Sequence, residues 1–330
     1  MRPLRSTLFL LALATTAHAA PYRYIRTGNP ADVQTKPTSG TAMMGGGSDL
    51  DEAFRWLCQK ANGGDFLILR ATGGEDYNSW VNKLCRLNSV ATLIVPDREA
   101  ATDAAVAAII SQAEAVFIAG GDQSNYIRGW QGTGVETAIN AGIAAGKPIG
   151  GTSAGLAVLG EFVYACLNDR PDDNDLASTD VLPNPYFDRI TLVRNFLNIP
   201  HLENLLTDSH FAQRDRMGRS LGFLARILQD GWSVSPREIA IDEKSAVLVE
   251  PDGKATVVGT GQGAYFLRPT HPPEICKKDE PLTFRNIEVI RVQAGGTFDL
   301  DKWTSTAGVS YTLSVVAGKI ETSQPRHAIY

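Results

Sequence analysis

A chain of 330 residues that is 43% hydrophobic has material for a sizeable core and is too apolar to be disordered. Its 36 acids outnumber its 31 lysines and arginines, giving a formal net charge of −5, so the broad basic face needed by a nucleic-acid or anionic-membrane partner is not expected. No apolar run reaches the length of a membrane span, and four cysteines without a C-x-x-C pair predict no zinc site; no metal or cofactor is expected.

The N-terminus reads as an export signal. Arg2 and Arg5 precede the apolar stretch Leu8 to Ala14 and a small-residue cleavage site, Ala17-His18-Ala19. Cleavage after residue 19 would give a secreted or periplasmic protein, removing two arginines, no acids, and His18. An oxidising compartment makes disulfides expected. Cys58 and Cys85 fall at corresponding ends of two successive predicted helices, so Cys58–Cys85 is the favoured pair, followed by Cys166–Cys276.

From residue 40 to 150 strands alternate with helices. Thr41–Met44 reads as a strand running into Gly45-Gly46-Gly47, with Ser48 as N-cap of a helix Asp49–Lys60 whose first turn is acidic. Strand Asp65–Arg70 leads to Gly73-Gly74, helix Tyr77–Leu87 and strand Ser89–Val95. Helix Ala100–Gln112, strand Ala115–Ala119 ending in Gly120-Gly121, and helix Val135–Ala145 follow. Continuous apolar strands joined by helices make a mostly parallel sheet with helices on both faces, an α/β fold whose ligands sit at the C-terminal strand ends. All three Gly-rich turns share that edge.

A short strand at Lys147-Pro148-Ile149 leads into Gly150-Gly151-Thr152-Ser153-Ala154-Gly155, followed by an apolar helix-like run, Leu156–Leu159. A serine between small residues at a sharp strand-to-helix turn is how an α/β enzyme exposes a nucleophile. The following helix would aim its free N–H groups and positive dipole end at a developing oxyanion. The competing reading is a plain Gly-rich turn with Ser153 as N-cap.

Beyond residue 160 the pattern loosens. Residues 168–188, rich in Asp, Asn and Pro, read as a surface loop, Arg189–Phe196 as a strand and Arg214–Gln229 as a helix. Short β segments follow from Ile239, giving a domain at 20–268 and a β-rich C-terminal extension at 269–330.

Nucleophilic chemistry at Ser153 needs a base and an acid to orient it. His210 stands at a strand-to-helix junction beside Asp208, Arg214, Arg216 and Arg219, whereas His271 and His327 read as surface residues and His201 as a loop competitor. The clustered arginines suit capture of a carboxylate, although three arginines in six positions also describe a solvated helix face. Backbone N–H groups of Gly121 and Ala154 could hold an oxyanion, and Gln123 offers a donor and an acceptor; Asp122 reads equally as a turn cap. For the orienting acid, Glu243 ends a strand, Asp242 alternates to the other face, and Asp169, Asp180 and Asp208 compete.

Taken in order, Gly45-Gly46-Gly47, Gly120-Gly121-Asp122-Gln123, Gly151-Thr152-Ser153-Ala154-Gly155, Asp208-Ser209-His210-Phe211 with Arg214, Arg216 and Arg219, and Ile241-Asp242-Glu243 resemble the cyanophycinases. These are S51 serine peptidases with a class-I glutamine-amidotransferase-like fold, and the leader suggests their extracellular branch. The resemblance implies hydrolysis of cyanophycin, a poly-aspartate backbone bearing arginine on each side-chain carboxyl, to β-Asp-Arg dipeptides. It implies Ser153 as nucleophile, His210 as base, Glu243 as orienting acid, and Gln123, Asp208, Ser209, Arg214, Arg216 and Arg219 as substrate contacts. Ser209 departs from the glutamine that some intracellular members carry there. An aspartyl or isoaspartyl dipeptidase and a non-catalytic secreted binding protein are the competing outcomes; the partner is a peptide or polymer, and a homodimer is compatible.

Overall fold

Segments apolar at every position, and not only at alternate ones, form strands buried on both faces. β1 is Arg23–Gly28; Thr41–Met44 (β2), Asp65–Arg70 (β3), Ser89–Ile94 (β4), Ala115–Ile118 (β5) and Ile149–Thr152 (β6) are all of the buried kind. The computed structural model describes residues 20–168 and 175–330, so the export signal expected at 1–19 and Asp169 lie outside the described residues. Strands pair in parallel in the order β4-β3-β5-β6-β2. β1 closes one edge antiparallel to β4.

Helices cover both faces of this sheet. On one side α1 (Asp51–Lys60) and α2 (Asp76–Leu84) bring Phe54, Leu57 and Val81 against Phe66, Ile68 and Phe117. Short α3 (Arg98–Ala101), α4 (Ala104–Gln112), α5 (Gln123–Trp130) and α6 (Gly134–Ala144) lie on the other, packing Ile110, Trp130 and Ile139 against Leu67, Leu69 and Ile118.

Local chemistry moved several boundaries. The alanine-rich helix expected at 100–112 is two helices, because the Asp103 carboxylate takes the N–H of Ala105 and starts a new one. Ser48 does not cap α1, which begins after Leu50 without a side-chain cap. Helix α5 was not expected; Asp122 caps it by accepting from the N–H of Ser124 at 2.8 Å, and its Tyr126, Ile127 and Trp130 form the buried stripe.

After the one-turn α7 (Ala154–Ala157) the chain builds a second layer. It contains β7 (Phe162–Tyr164), one-turn α8 (Ser178–Val181), β8 (Leu192–Arg194), β9 (Leu205–Asp208), α9 (Met217–Gln229) and β10 (Arg237–Ile241). β11 (Ser245–Val249), β12 (Lys254–Gly259), β13 (Ala264–Pro269), β14 (Phe284–Val292), β15 (Thr297–Asp299), β16 (Val309–Val316) and β17 (Lys319–Thr322) complete the order. β11, β12 and β15 extend the first sheet antiparallel from β2 to nine strands. Among the described residues the second sheet has eight, in the order β17-β16-β14-β13-β10-β9-β7-β8, parallel only where β9 meets β10 and β7. Ile239, Ile241 and Phe266 of this sheet share one core with Val247 and Val257 of the first. The stretch after residue 268 is woven into both sheets, through β14 on β13 and β15 on β12.

The described part of the 168–188 segment, expected as surface loop, buries Leu176, Val181 and Leu182. Gly218 and Gly222 of α9 admit it: a Cβ on Gly218 would stand 2.6 Å from Ser178 and one on Gly222 2.2 Å from Val181. The expected helix at 214–229 starts only at Met217, because Asp215 takes a positive φ of 47° and interrupts it.

A disulfide joins Cys58 to Cys85, at the ends of α1 and α2. The second expected pair, Cys166–Cys276, is not formed: Cys166 is buried with Phe162 and Tyr164, Cys276 in a different core with Leu282 and Phe284. Replacing Cys58 and Cys85 together by serine opens a loop with a sequence separation of 27. Chain-entropy reasoning sets the expected loss at about 3.5 kcal/mol, read as a lower midpoint in guanidinium unfolding.

Candidate active site

Ser153 stands between β6 and α7 at φ 52°, ψ −116°, a conformation that non-glycine residues rarely adopt. Two glycines make the turn possible. A Cβ on Gly151 would meet the Gly155 carbonyl at 2.4 Å, and one on Gly155 the Ile118 carbonyl at 2.0 Å. Because α7 is a single turn, the extended helix dipole expected behind Ser153 is not there. Any oxyanion stabilisation falls to local N–H groups.

His210 follows β9 with φ 45° and presents Nε2 to Ser153 Oγ at 2.8 Å. Its Nδ1 lies 2.6 Å from Glu243 Oε1, just beyond β10. Ser153, His210 and Glu243 therefore form one hydrogen-bonded row. Asp242 points away, its carboxylate accepting from the Ala212 N–H at 3.1 Å and the Gln213 amide at 3.3 Å. Asp180 accepts from the Ala177 N–H, and Asp208 is engaged elsewhere. His201 pairs with Asp301, His271 with the Pro272 carbonyl, and His327 is exposed; none of them approaches Ser153.

The Gly45-Gly46-Gly47 segment packs beneath the row. A Cβ on Gly46 (φ +88°) would lie 2.5 Å from the His210 ring, and one on Gly47 2.7 Å from Glu243 Oε2. Gln213, missed in the sequence, accepts from the Glu243 N–H at 3.2 Å while its amide reaches Asp242. No local pattern marks such a residue; only the fold brings 213 beside 243.

Burial sets the chemistry of the histidine. With the ring nearly enclosed, desolvation holds its pKa below the usual 6.5, and the Arg214 and Arg216 charges act in the same direction; the Glu243 hydrogen bond opposes them without winning. The imidazole is thus neutral near pH 7. It can accept a proton from Ser153, and Glu243 can stabilise the resulting cation.

The residues expected around substrate are placed differently. Asp208, Ser209, Arg216 and Arg219 are buried and bind one another. Arg219 donates from Nε to Asp208 Oδ2 at 2.8 Å and stacks 5.2 Å from the Tyr164 ring; Arg216 donates to the Ser209 carbonyl at 2.8 Å and to Asp175 at 2.8 Å. Burial would raise the Asp208 pKa, but the two guanidinium groups outweigh it and keep the carboxylate charged. The solvated helix face once possible for these arginines does not exist, since buried charges of opposite sign pair. Only Arg214 remains half-exposed, in a salt bridge with Asp175. Gln123 opens α5 and turns its amide to Cys166 Sγ at 2.9 Å, and Gly121 is exposed beside it. Among the described residues no group of His, Cys, Asp and Glu could hold a metal ion.

The model of peptidase family S51 matches residues 43–255. A cyanophycinase of Synechococcus elongatus is 26% identical over 267 residues, covering 77% of this chain and 76% of its own length. One of Trichormus variabilis is 27% identical over 216 residues, 64% of this chain and 65% of its own. Among solved structures, a peptidase from an acI-B1 Actinobacterium aligns with a TM-score of 0.49 at 18% identity, over 81% of this chain and 98% of that one.

The strap of glycines can be tested directly. Gly46→Ala should leave the melting temperature within a few degrees while displacing the His210 ring, slowing labelling of Ser153 by a serine-directed phosphonate about 100-fold.

Proposed function

The chain belongs to peptidase family S51, and from that premise we propose that it hydrolyses cyanophycin to β-Asp-Arg dipeptides by a serine acyl-enzyme route. The observation that carries the reading is the row Ser153–His210–Glu243, with Ser153 held in a strained turn at the ligand edge of the sheet. The names of the relatives similar over most of the chain supply the substrate.

In this reading Ser153 Oγ attacks the scissile carbonyl while His210 Nε2 takes its proton. The N–H groups of Gly121 and Ala154 receive the oxyanion, and His210 returns the proton to the departing amine. Water, deprotonated by the same nitrogen, then releases the acyl group and regenerates Ser153. Glu243 fixes the tautomer with the proton on Nδ1 and balances the imidazolium charge. The leader motif at 1–19 and the Cys58–Cys85 bridge support action outside the cytoplasm.

Mass spectrometry of products from purified polymer tests the reading: β-linked Asp-Arg units are expected. Hydrolysis of Asp-X dipeptides with the polymer untouched would replace it by a dipeptidase, and no phosphonate labelling of Ser153 would leave a binding protein. Ser153→Ala and His210→Ala should fold normally and lose about 10⁵-fold or more in kcat, and Glu243→Gln less, since the orienting acid is the most replaceable of the three.

The pH profile follows from the base. His210 works unprotonated and its pKa is lowered, so the midpoint of the acidic limb of kcat/KM should lie below pH 6.5. Removing the cation in Arg214→Ala lets the imidazole pKa rise, so the acidic limb should move to higher pH. A limb that stays put would show that solvent screens Arg214 completely.

A further inference from the structure

The cations expected to read substrate charge are largely spoken for, Arg216 and Arg219 by Asp208, and Arg214 with Arg216 by Asp175. A cation of another kind stands on the same edge of the first sheet. Arg70, the last residue of β3, has no carboxylate of the described residues within ion-pair reach. Its Nε donates to the Thr72 carbonyl and its Nη1 to that of Gly74 at 2.8 Å, which fixes the guanidinium and leaves Nη2 without an acceptor among the described residues. Gly73 keeps that nitrogen uncovered: at φ +100°, a Cβ there would stand 2.2 Å from Nη2.

Strand register places this group relative to the nucleophile. Leu69, Ile118 and Gly151 are partners across β3, β5 and β6, so the next row holds Arg70, Ala119 and Thr152. Two strand spacings put Arg70 about 10 Å from the residue preceding Ser153. The turn between them is Gly120-Gly121, where the Tyr126 hydroxyl donates to the Ala119 carbonyl at 2.7 Å and approaches that of Gly120 at 3.2 Å. Behind them runs a rigid path. The Arg70 guanidinium lies 6.0 Å from the Tyr77 ring, Tyr77 donates to Asp49 Oδ2 at 2.5 Å, and Thr152 donates to Asp49 Oδ1 at 2.5 Å.

We infer that Arg70 binds a carboxylate of the substrate, so that the substrate chain crosses the Gly120-Gly121 turn with its scissile carbonyl at Ser153. This rests on the peptidase reading of Ser153. Each unit of the proposed polymer carries a free carboxylate near the cleaved amide, and a fixed guanidinium with open N–H groups suits such a partner.

The test is calorimetric, in Ser153→Ala protein, where nothing is turned over. The probes are a synthetic two-unit polymer segment with free carboxylates and the same segment fully amidated. Arg70→Gln should weaken binding of the free segment about tenfold or more and that of the amidated one by less than about twofold. Arg70→Lys, which keeps the charge and loses the fork, should fall between, and serves should the glutamine variant melt early. Equal losses for both segments, or none for either, would overturn the assignment. If wild-type protein fails to cleave polymer while the Arg70-dependent difference persists, the polymer reading falls and the contact stands. If cleavage is intact and the difference absent, only the contact falls.

Discussion

Three consecutive carbonyls at the end of β2 hold the site together. That of Met44 accepts from the N–H of Ser153 at 3.1 Å, that of Gly45 from His210 at 2.8 Å, and that of Gly46 from Lys244, next to Glu243, at 3.0 Å. Each segment of the hydrogen-bonded row is thus hung on one short piece of main chain. Side chains on that piece would collide with what it holds, and this explains three glycines in succession better than flexibility does. The strain at Ser153 and His210, both at positive φ, persists because these bonds over-determine the backbone.

Beneath the histidine lies a second, ionic support. Arg219 and Arg216 clamp Asp208, and Asp208 accepts from the N–H of Ser209 at 2.7 Å, the residue before His210. Glu238, fully buried nearby, is pushed well above the usual carboxylate range by desolvation and by Asp208, which favours its neutral form beside the charged cluster. Taking one partner away from such a cluster leaves a buried charge unanswered, which costs far more than the pair contributes. The arrangement fixes where the imidazole stands and says little about how tightly the protein folds.

Much of this was legible in the residues. The parallel strands announced themselves as unbroken apolar runs, and β3 was bounded correctly at Asp65 and Arg70 because a buried strand ends where polarity returns. Turn chemistry points to Ser153 and the scarcity of histidines to His210, whereas Glu243 competes with Asp169, Asp180 and Asp208 until the family resemblance singles it out; the fold brings the three side chains together. Two departures share a cause: each depended on which partner a side chain meets in space. Arg216 and Arg219 look solvated or substrate-facing in one dimension, yet Asp208 and Asp175 turn them inward. Cys166 and Cys276 look like the remaining pair until they fall into separate cores. Helix α5 hid because a Gly-Gly turn and polar residues masked a stripe of Tyr126, Ile127 and Trp130.

The three carbonyl anchors also govern when the hydrogen-bonded row can assemble. Residues 44–46 find their partners more than a hundred positions downstream, across most of the two sheets. Such distant closures come late in folding, since loop entropy must be overcome before they form. Until those closures form, the serine, the imidazole and the carboxylate are three unconnected groups, and Ser153 lacks the base that its hydroxyl needs. Topology itself supplies latency: the row exists only in the completed architecture.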